Sequence, residues 1–294
     1  MVDGYSNAAT ERCERVLGTL MRGIGQPWRH KICLVGGLAP LYIVRGDGYG
    51  QPAHVGSTDV DVALRLALES EDQGAYATLE TNLKRNGFGR VDGASWRWAA
   101  DVERETVVLE FLGDVSDAAP GTVFRAKVTP PAGAGGVGLL CVRGVELVFR
   151  DALSVTRDVP LLDGARSRVE FQVANLTPFV ALKADAYLDR RKAKDAYDLV
   201  YVLRWWQGGP AAAAAAFASS PVADEPFVVS AISRVLSDFA SPDRAGAVDY
   251  ASLRASAGSA NEVAVARNEA VLVVRQFEEE LRNQGFKAGD AAPT

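Results

Sequence analysis

The distribution of strand-like and helix-like segments along the chain constrains its fold more than any other feature. Up to residue 174, short apolar runs typical of β-strands are interspersed with helical segments and with loops rich in Gly and Pro. From Thr177 to Gln284 no strand-like run occurs. We therefore predict an α/β (α+β) protein. A mixed sheet with flanking helices occupies residues 1–174 and an all-helical domain occupies residues 175–294.

The pattern of apolar residues assigns most of the individual elements. Strands are predicted at Lys31–Val35, in STDVDVALRL, in a hairpin of SWRWAADV and ETVVLEFLG, and in VELVFRDALSV and RVEFQV. Helices are predicted at Asn7–Arg22, in LAPLYIVRG, at Glu69–Asn86, at Ala211–Ala216 and in NEVAVARNEAVLVVRQFEEELRNQG. Thr177 is the predicted N-cap of the first helix in the helical half, with Pro178 as the first helical residue.

Composition and charge limit the classes of function. No apolar run reaches the roughly 20 residues that cross a bilayer, and the N-terminus lacks an apolar signal core. We therefore expect a cytoplasmic protein with no membrane partner. Three widely spaced cysteines predict free thiols, and two histidines in the whole chain disfavour a zinc site. The net charge of -5 argues against a general nucleic-acid coat.

Two aspartates interrupt the apolar run STDVDVAL. Asp59 and Asp61 are two positions apart, so in a strand both carboxylates point to the same face. Neighbouring like charges repel each other unless a cation lies between them. Mg²⁺ is commonly bound by one or two carboxylates together with substrate phosphates. The pair therefore predicts a magnesium site, and two solvated residues of an edge strand are the alternative.

Neighbouring motifs would complete such a site. Glu110, an acid isolated in the apolar run ETVVLEFL, is the predicted third acid, with Asp114 as the alternative. Gly36 and Gly37 end a strand and open a helix, which lets backbone N–H groups approach phosphate oxygens closely. Ser57 could donate a hydrogen bond to a phosphate, and ordinary turn chemistry is the alternative.

The order of these motifs resembles that of the nucleotidyltransferase superfamily, in which a glycine pair precedes an acid-x-acid strand. LVGG, an apolar helix and STDVDVAL match that order. The resemblance implies a nucleotidyltransferase-type mixed sheet. It also implies that Asp59 and Asp61 hold the metal that binds an NTP triphosphate, and that Glu110 helps to activate the acceptor hydroxyl. The spacer between Gly37 and Asp59 is longer than in most members, because GDGYGQPA is inserted there.

A second segment, ALKADAYLDRRKAKDAYDLVYVL, is similar to one in the AbiEii group of bacterial nucleotidyltransferase toxins, which includes the mycobacterial MenT-type toxins. In that group a helical Lys precedes K-D-x-x-D-L, and the matching positions are Lys183, Asp195 and Asp198. The resemblance implies catalytic roles for Lys183 and Asp198 and a nucleotide-binding role for Asp195.

The same resemblance implies Mg²⁺ as cofactor, an NTP as substrate, an RNA acceptor such as the 3′ end of tRNA, and a cognate antitoxin. Two alternatives stay open. One is nucleotidyl transfer to a protein or a small molecule such as an aminoglycoside. The other is a catalytically inactive binding module of the same fold.

Spacing within this segment predicts a bend. Lys183 and Asp198 are fifteen residues apart, about 22 Å on one helix, which is too far for a shared site. If both serve one centre, the chain folds back at DRRKAK and Lys183 neutralises triphosphate charge. The alternative is a Lys whose apolar stem lies along an amphipathic helix. Four basic residues near the bend could receive RNA phosphates, although a solvated face is the preferred interpretation. They are Arg190, Arg191, Lys192 and Lys194.

Overall fold

The computed structural model describes residues 5–26, 28–44, 53–65, 73–114, 119–125 and 136–286. The chain forms two compact units. The sheet unit contains Tyr5–Ala39 and Gly56–Ala174, and the helical unit combines Pro40–Val55 with Asn175–Thr294. The helical unit therefore draws on two separate parts of the sequence. As a statement about independently folding domains, the division at residues 174 and 175 stays a prediction.

A mixed sheet of nine strands forms the sheet unit, in the order β3-β4-β5-β2-β1-β9-β8, with β7 beside β5 and β6 beside β7. The parallel pairs are β1 with β9, β2 with β5 and β5 with β7, and the other pairs are antiparallel. In chain order, β1 to β9 are Ile32–Val35, Asp59–Leu64, Gly89–Arg90, Arg97–Val102, Glu105–Gly113, Val123–Arg125, Gly138–Cys141, Ala152–Pro160 and Arg166–Ala174.

Helices flank the sheet and make up the C-terminal half. In the described residues, α1 to α9 span Asn7–Gly23, Pro40–Ile43, Gln73–Arg85, Leu176–Arg190, Ala193–Trp205, Gly209–Ala218, Pro226–Val235, Ala245–Arg254 and Ala260–Asn283. Short 3-10 helices span Trp28–His30, Gly36–Leu38, Val145–Phe149 and Leu236–Phe239. A mixed sheet followed by a helical region confirms the predicted fold class. None of the described helices combines the length and apolar character needed to cross a bilayer.

The strand register gives the sheet an apolar face and a polar face, because successive side chains alternate. Helix α1 packs on the apolar face, where Gly18 lies so close to Val159 that a Cβ would come within 2.6 Å of its methyl group. Central strands contribute buried residues to this face: Val60, Val62, Leu64, Trp98, Ala100, Val102, Val107, Leu109 and Phe111. The polar face is defined by Asp59, Asp61, Arg97, Asp101, Thr106, Glu110, Ser154, Thr156, Asp158, Arg168, Glu170 and Gln172.

Several predicted elements form as expected. The hairpin of β4 and β5 is antiparallel with a turn at Glu103 and Arg104, and the chain folds back between α4 and α5. Two predictions are wrong in detail. Val145–Phe149 is a 3-10 helix rather than a strand, because Gly144 adopts a left-handed conformation just before it. The first helix of the C-terminal half begins at Leu176, because Asn175 caps it two residues before Thr177.

Some predictions fall wholly or partly outside the described residues. They concern the loops GDGYGQPAHVG and TPPAGAGGVG, the start of the helix predicted at Glu69–Asn86, and the C-terminal residues after Phe286.

Candidate active site

The polar face of the sheet carries three acids side by side. Asp59 and Asp61 are two residues apart on β2, and Asp61 pairs in register with Glu110 on the parallel strand β5. Paired residues on adjacent strands are about 4.8 Å apart and point to the same face. All three carboxylates are half-buried. The structure therefore groups the acids that the sequence singled out, and their chemical roles stay predictions.

Ser57 contacts the first of these acids. Its buried hydroxyl is 3.0 Å from the Asp59 carbonyl oxygen and 3.1 Å from Asp59 Oδ1, so it can donate to either. Cys13 Sγ in turn donates to the Ser57 carbonyl oxygen. Burial, followed by the charge of Asp59, raises the pKa of the Cys13 thiol to about 12. In this structure the Ser57 hydroxyl orients Asp59, and its use as a phosphate donor stays a prediction.

Gly36 lies directly against the second acid. Its φ of +67° is in the left-handed region, and a Cβ at this position would overlap the Asp61 carboxylate. Two separate reasons therefore favour glycine at this position: the left-handed backbone conformation and the overlap that any Cβ would make with Asp61. Gly37 follows in the same 3-10 helix and is buried. The backbone of the glycine pair thus lies beside the candidate metal-binding carboxylates.

Glu110 is paired with a basic residue on its other side. Arg97 lies opposite it on β4, and the Arg97 Nε atom donates to Glu110 Oε1 at 2.7 Å. The alternative third acid, Asp114, instead accepts a 2.7 Å hydrogen bond from the Gly144 backbone N–H. That bond stabilises the turn before the 3-10 helix. The sequence reasoning missed Arg97, although a two-residue turn in the predicted hairpin would have placed it opposite Glu110.

Two of these acids could supply protein ligands for the predicted magnesium ion, with substrate phosphates as its further ligands. Within the described part of the chain, no three His, Cys, Asp or Glu side chains form a group that could hold a metal by themselves. Asp59 and Asp61 supply two carboxylates from one strand, which is the number that Mg²⁺ commonly takes with phosphates and water. Glu110 already forms a salt bridge with Arg97. Asp59 and Asp61 are therefore the residues that would hold the ion.

The helical unit contains a second group of charged side chains, which we call the lysine–aspartate cluster. It consists of His54, Lys183, Arg190, Lys194, Asp195 and Asp198. The bend between α4 and α5 brings Lys183 Nζ within 3.0 Å of Asp195 Oδ1 and 2.9 Å of Asp198 Oδ2. The three residues selected by the second motif are thus in direct contact.

Each aspartate of the lysine–aspartate cluster has further partners. Asp195 accepts two hydrogen bonds from the guanidinium of Arg190, at 2.7 and 2.8 Å. Asp198 is ion-paired with Lys194 through Oδ1, and the same oxygen lies 2.8 Å from His54 Nε2. Both carboxylates are buried, which makes these charge-assisted contacts stronger than their surface equivalents.

The charges of this cluster shift one another's pKa values. Burial acts to raise the pKa of Asp198, but Lys183 and Lys194 outweigh it and hold that pKa well below its ordinary value. Burial likewise acts to lower the pKa of Lys183, yet Asp198 and Asp195 raise it. Burial, with repulsion from Lys183, lowers the pKa of Lys194 although Asp198 opposes the shift. Lys183 is therefore a firmly charged ammonium group.

The structure changes the interpretation of the basic residues at the bend. Arg190 pairs with Asp195, Arg191 lies 2.6 Å from Asp238 Oδ2, and Lys194 pairs with Asp198. Lys194 is buried, so the preferred interpretation of a solvated face is wrong for that residue. Three of the four cations are therefore paired with aspartates of the helical unit.

Residues 19–260 match the protein family described as nucleotidyl transferase AbiEii toxin, type IV TA system. The chain belongs to the AbiEii family. The match confirms the predicted family and covers more than half of the chain, including the three acids of the polar face and all of α4 and α5. AbiEii proteins are nucleotidyltransferase toxins of toxin–antitoxin systems. No curated protein and no solved structure matches the chain.

Proposed function

We propose that this AbiEii protein is a magnesium-dependent enzyme that transfers a nucleoside monophosphate from an NTP to an RNA acceptor, the 3′ end of tRNA in particular. Modified tRNA would block translation in the cytoplasm, and a cognate antitoxin would restrain the protein. One observation carries the proposal. Asp61 and Glu110 lie in register on adjacent strands, with Asp59 beside them and Gly36 against Asp61. The tRNA acceptor is supported by the resemblance to MenT-type toxins.

The chain's own residues would act as follows. Asp59 and Asp61 would hold Mg²⁺, which would supply neutralisation of triphosphate charge and polarisation of the α-phosphate. Ser57 keeps the Asp59 carboxylate in place. Glu110, oriented by Arg97, accepts the proton of the RNA hydroxyl as its oxygen attacks the α-phosphorus. A new O–P bond forms while the bond from the α-phosphorus to the bridging oxygen breaks, and pyrophosphate leaves.

Lys183 is the second element of the proposal. Its ammonium group, kept charged by Asp195 and Asp198, would neutralise phosphate charge that develops as pyrophosphate leaves. In this proposal Asp198 contributes to catalysis, and Asp195 to nucleotide binding, by holding the Lys183 amine in place. Their buried contacts with Lys183 support this division of roles.

A transfer assay tests the proposal. Purified protein is incubated with total tRNA, MgCl₂ and each of the four α-³²P-labelled NTPs in turn. We expect label in tRNA with the native chain and a loss of at least about 100-fold with Asp59→Asn or Asp61→Asn, since each removes one carboxylate charge at the metal. Asp158→Asn is the matched control, because Asp158 lies exposed on the same face of the edge strand β8.

The outcomes separate the alternatives. Label that stays on protein after ribonuclease treatment would show a protein acceptor instead of RNA. Label in an added aminoglycoside would show a small-molecule acceptor. Absence of transfer from every NTP to tRNA, protein and aminoglycoside would reject the enzymatic proposal and favour a binding module.

A further inference from the structure

His54 is bound to an aspartate in the interior of the helical unit. Its Nε2 atom is 2.8 Å from Asp198 Oδ1, and both side chains are 0% exposed. The two residues are 144 positions apart in the sequence, so no local motif connects them. Neither the sequence motifs nor the proposed reaction uses this imidazole.

The direction of this hydrogen bond follows from the charge states. Asp198 is ionised and its oxygens can only accept, so Nε2 carries the hydrogen and donates it. Burial lowers the pKa of His54, and Lys194 and Lys183 lower it further although Asp198 opposes the shift. His54 is therefore a neutral donor, in contrast to the two lysines that contact the same carboxylate.

Aromatic rings hold the imidazole in one orientation. Tyr201 packs edge-on against it with ring centroids 4.8 Å apart, and Tyr197 packs at 5.4 Å. The Tyr197 hydroxyl also bonds to the backbone of Val55, the residue after His54. The donor Nε2–H is thus fixed by contacts on both its ring and its backbone.

The two oxygens of Asp198 have different partners as a result. Oδ1 meets His54 and Lys194, which leaves Oδ2 facing Lys183 at 2.9 Å. Rotation of the carboxylate out of this plane would move Oδ1 away from His54 Nε2 and break their hydrogen bond. Lys183 Nζ donates to Asp195 Oδ1 at 3.0 Å and forms an ion pair with Asp198 Oδ2 at 2.9 Å. An ammonium group carries three N–H donors, so it can also donate to a substrate oxygen.

We propose that His54 is a positioning residue that fixes the plane of the Asp198 carboxylate and thereby the place of the Lys183 ammonium. The inference rests on the proposed function in one respect, because it takes an NTP phosphate as the group that meets this ammonium. His54 itself touches no substrate. Its effect is to make Lys183 a preorganised cation, which matters most when phosphate charge develops.

Three variants test this role. His54→Phe keeps an aromatic ring against Tyr201 but removes the donor, and His54→Gln restores an N–H near the position of Nε2. His30→Phe is the matched control, because it makes the same change at the other histidine of the chain, which is exposed. For each variant, folded fraction is measured by circular dichroism, and kcat and KM for NTP are measured in the transfer assay per folded molecule.

We expect His54→Phe to lower kcat about 10- to 100-fold, the cost of one hydrogen bond to a charged group, with KM for NTP changed less than about 3-fold. His54→Gln should recover most of the loss, and His30→Phe should retain kcat. Equal kcat per folded molecule in native protein and His54→Phe would overturn the inference.

A second readout keeps the inference testable if the native chain transfers no nucleotide. The rate of Lys183 acetylation by acetic anhydride, followed by peptide mass spectrometry, reports how firmly its amine is held. We expect that rate to rise about 10-fold in His54→Phe and to stay near the native rate in His54→Gln. An unchanged rate in His54→Phe would refute the positioning role, whereas absent transfer alone would refute the proposed function.

Discussion

Single residues in this protein are constrained by neighbours far away in the sequence. Gly36 is fixed by its contact with Asp61, and His54 by its hydrogen bond with Asp198. Sequence analysis selected Gly36 for its likeness to phosphate-binding turns, and the structure adds a steric reason. It did not select His54, because nothing in a linear sequence indicates that residues 144 positions apart will be buried together.

Replacing Gly36 tests the steric reason. We expect Gly36→Ala to lower the free energy of unfolding by about 2 kcal/mol or more and to abolish transfer, because φ strain adds to overlap with Asp61. Gly164→Ala is the matched control, since Gly164 has a φ of +82° but open space around its Cα. It should cost only about 1 kcal/mol and keep activity. Urea unfolding and the transfer assay measure both, and equal losses would contradict the steric argument.

His54 should give stability a recognisable pH dependence. Its folded pKa is below the ordinary value of 6.5, so as pH falls past 6.5 the unfolded chain takes up a proton that the folded chain does not. The free energy of unfolding should therefore decrease with falling pH, by at most about 1.4 kcal/mol per unit for one proton. The groups that face the imidazole are Lys183, Lys194, Tyr197, Asp198 and Tyr201.

Urea unfolding between pH 7.5 and 5 measures this dependence. His54→Gln cannot take up the proton, so its slope should be shallower than that of the native chain. Asp195 and Asp198 have pKa values lowered from 3.8, so their contributions to the free energy of unfolding are fully present above pH 3.8. Those contributions are lost only at lower pH. Parallel slopes for the two proteins would contradict the assignment to His54.

At the scale of elements, pattern and turn chemistry predicted more than they missed. Alternation in ETVVLEFLG predicted the strand that carries Glu110, since a period of two is dictated by backbone geometry. The register that places Glu110 beside Asp61 was not predicted. The apolar run at Val145–Phe149 was misassigned because the turn at Gly144 decides its conformation. Its stabilising partner, Asp114, lies 30 residues earlier, and such contacts are not readable from local sequence.

The β4–β5 hairpin makes a prediction about the third acid. Arg97→Ala removes the partner that orients Glu110, so we expect kcat to fall about 10-fold with a smaller change in KM. Arg168→Ala, an exposed arginine on the same face of β9, is the control and should leave kcat unchanged. Transfer kinetics across a range of NTP concentrations measure the effects on kcat and on KM separately. If both variants behave alike, Arg97 contributes only general surface charge.

At the scale of the whole molecule, the two faces of the sheet carry different kinds of side chains. Its apolar face packs on α1, whereas its polar face carries the acids. The sequence predicted this sheet because strand-like runs end before residue 175. It did not predict that Pro40–Val55 joins the helical unit, because membership of that unit is decided by packing against segments more than 100 residues later.

Expression in bacteria without an antitoxin tests the proposed toxicity of the protein. We expect the native protein to arrest growth and the double variant Asp59→Asn/Asp61→Asn to be harmless, because the proposed mechanism of arrest requires nucleotidyl transfer. Asp158→Asn should still arrest growth. Immunoblots confirm equal protein levels, and growth arrest by the double variant would mean that the protein acts by binding.

The split origin of the helical unit has a consequence for how the protein is made. When His54 leaves the ribosome, its partner Asp198 is still 144 codons away, which at about 5–20 residues per second is a delay of roughly 7–29 s. All strands of the sheet, with Asp59, Asp61 and Glu110, are therefore synthesised before His54 can form its hydrogen bond with Asp198. A premature stop codon between residues 175 and 198 would release a product that has all of these strands but lacks the contacts of Lys183 with both aspartates.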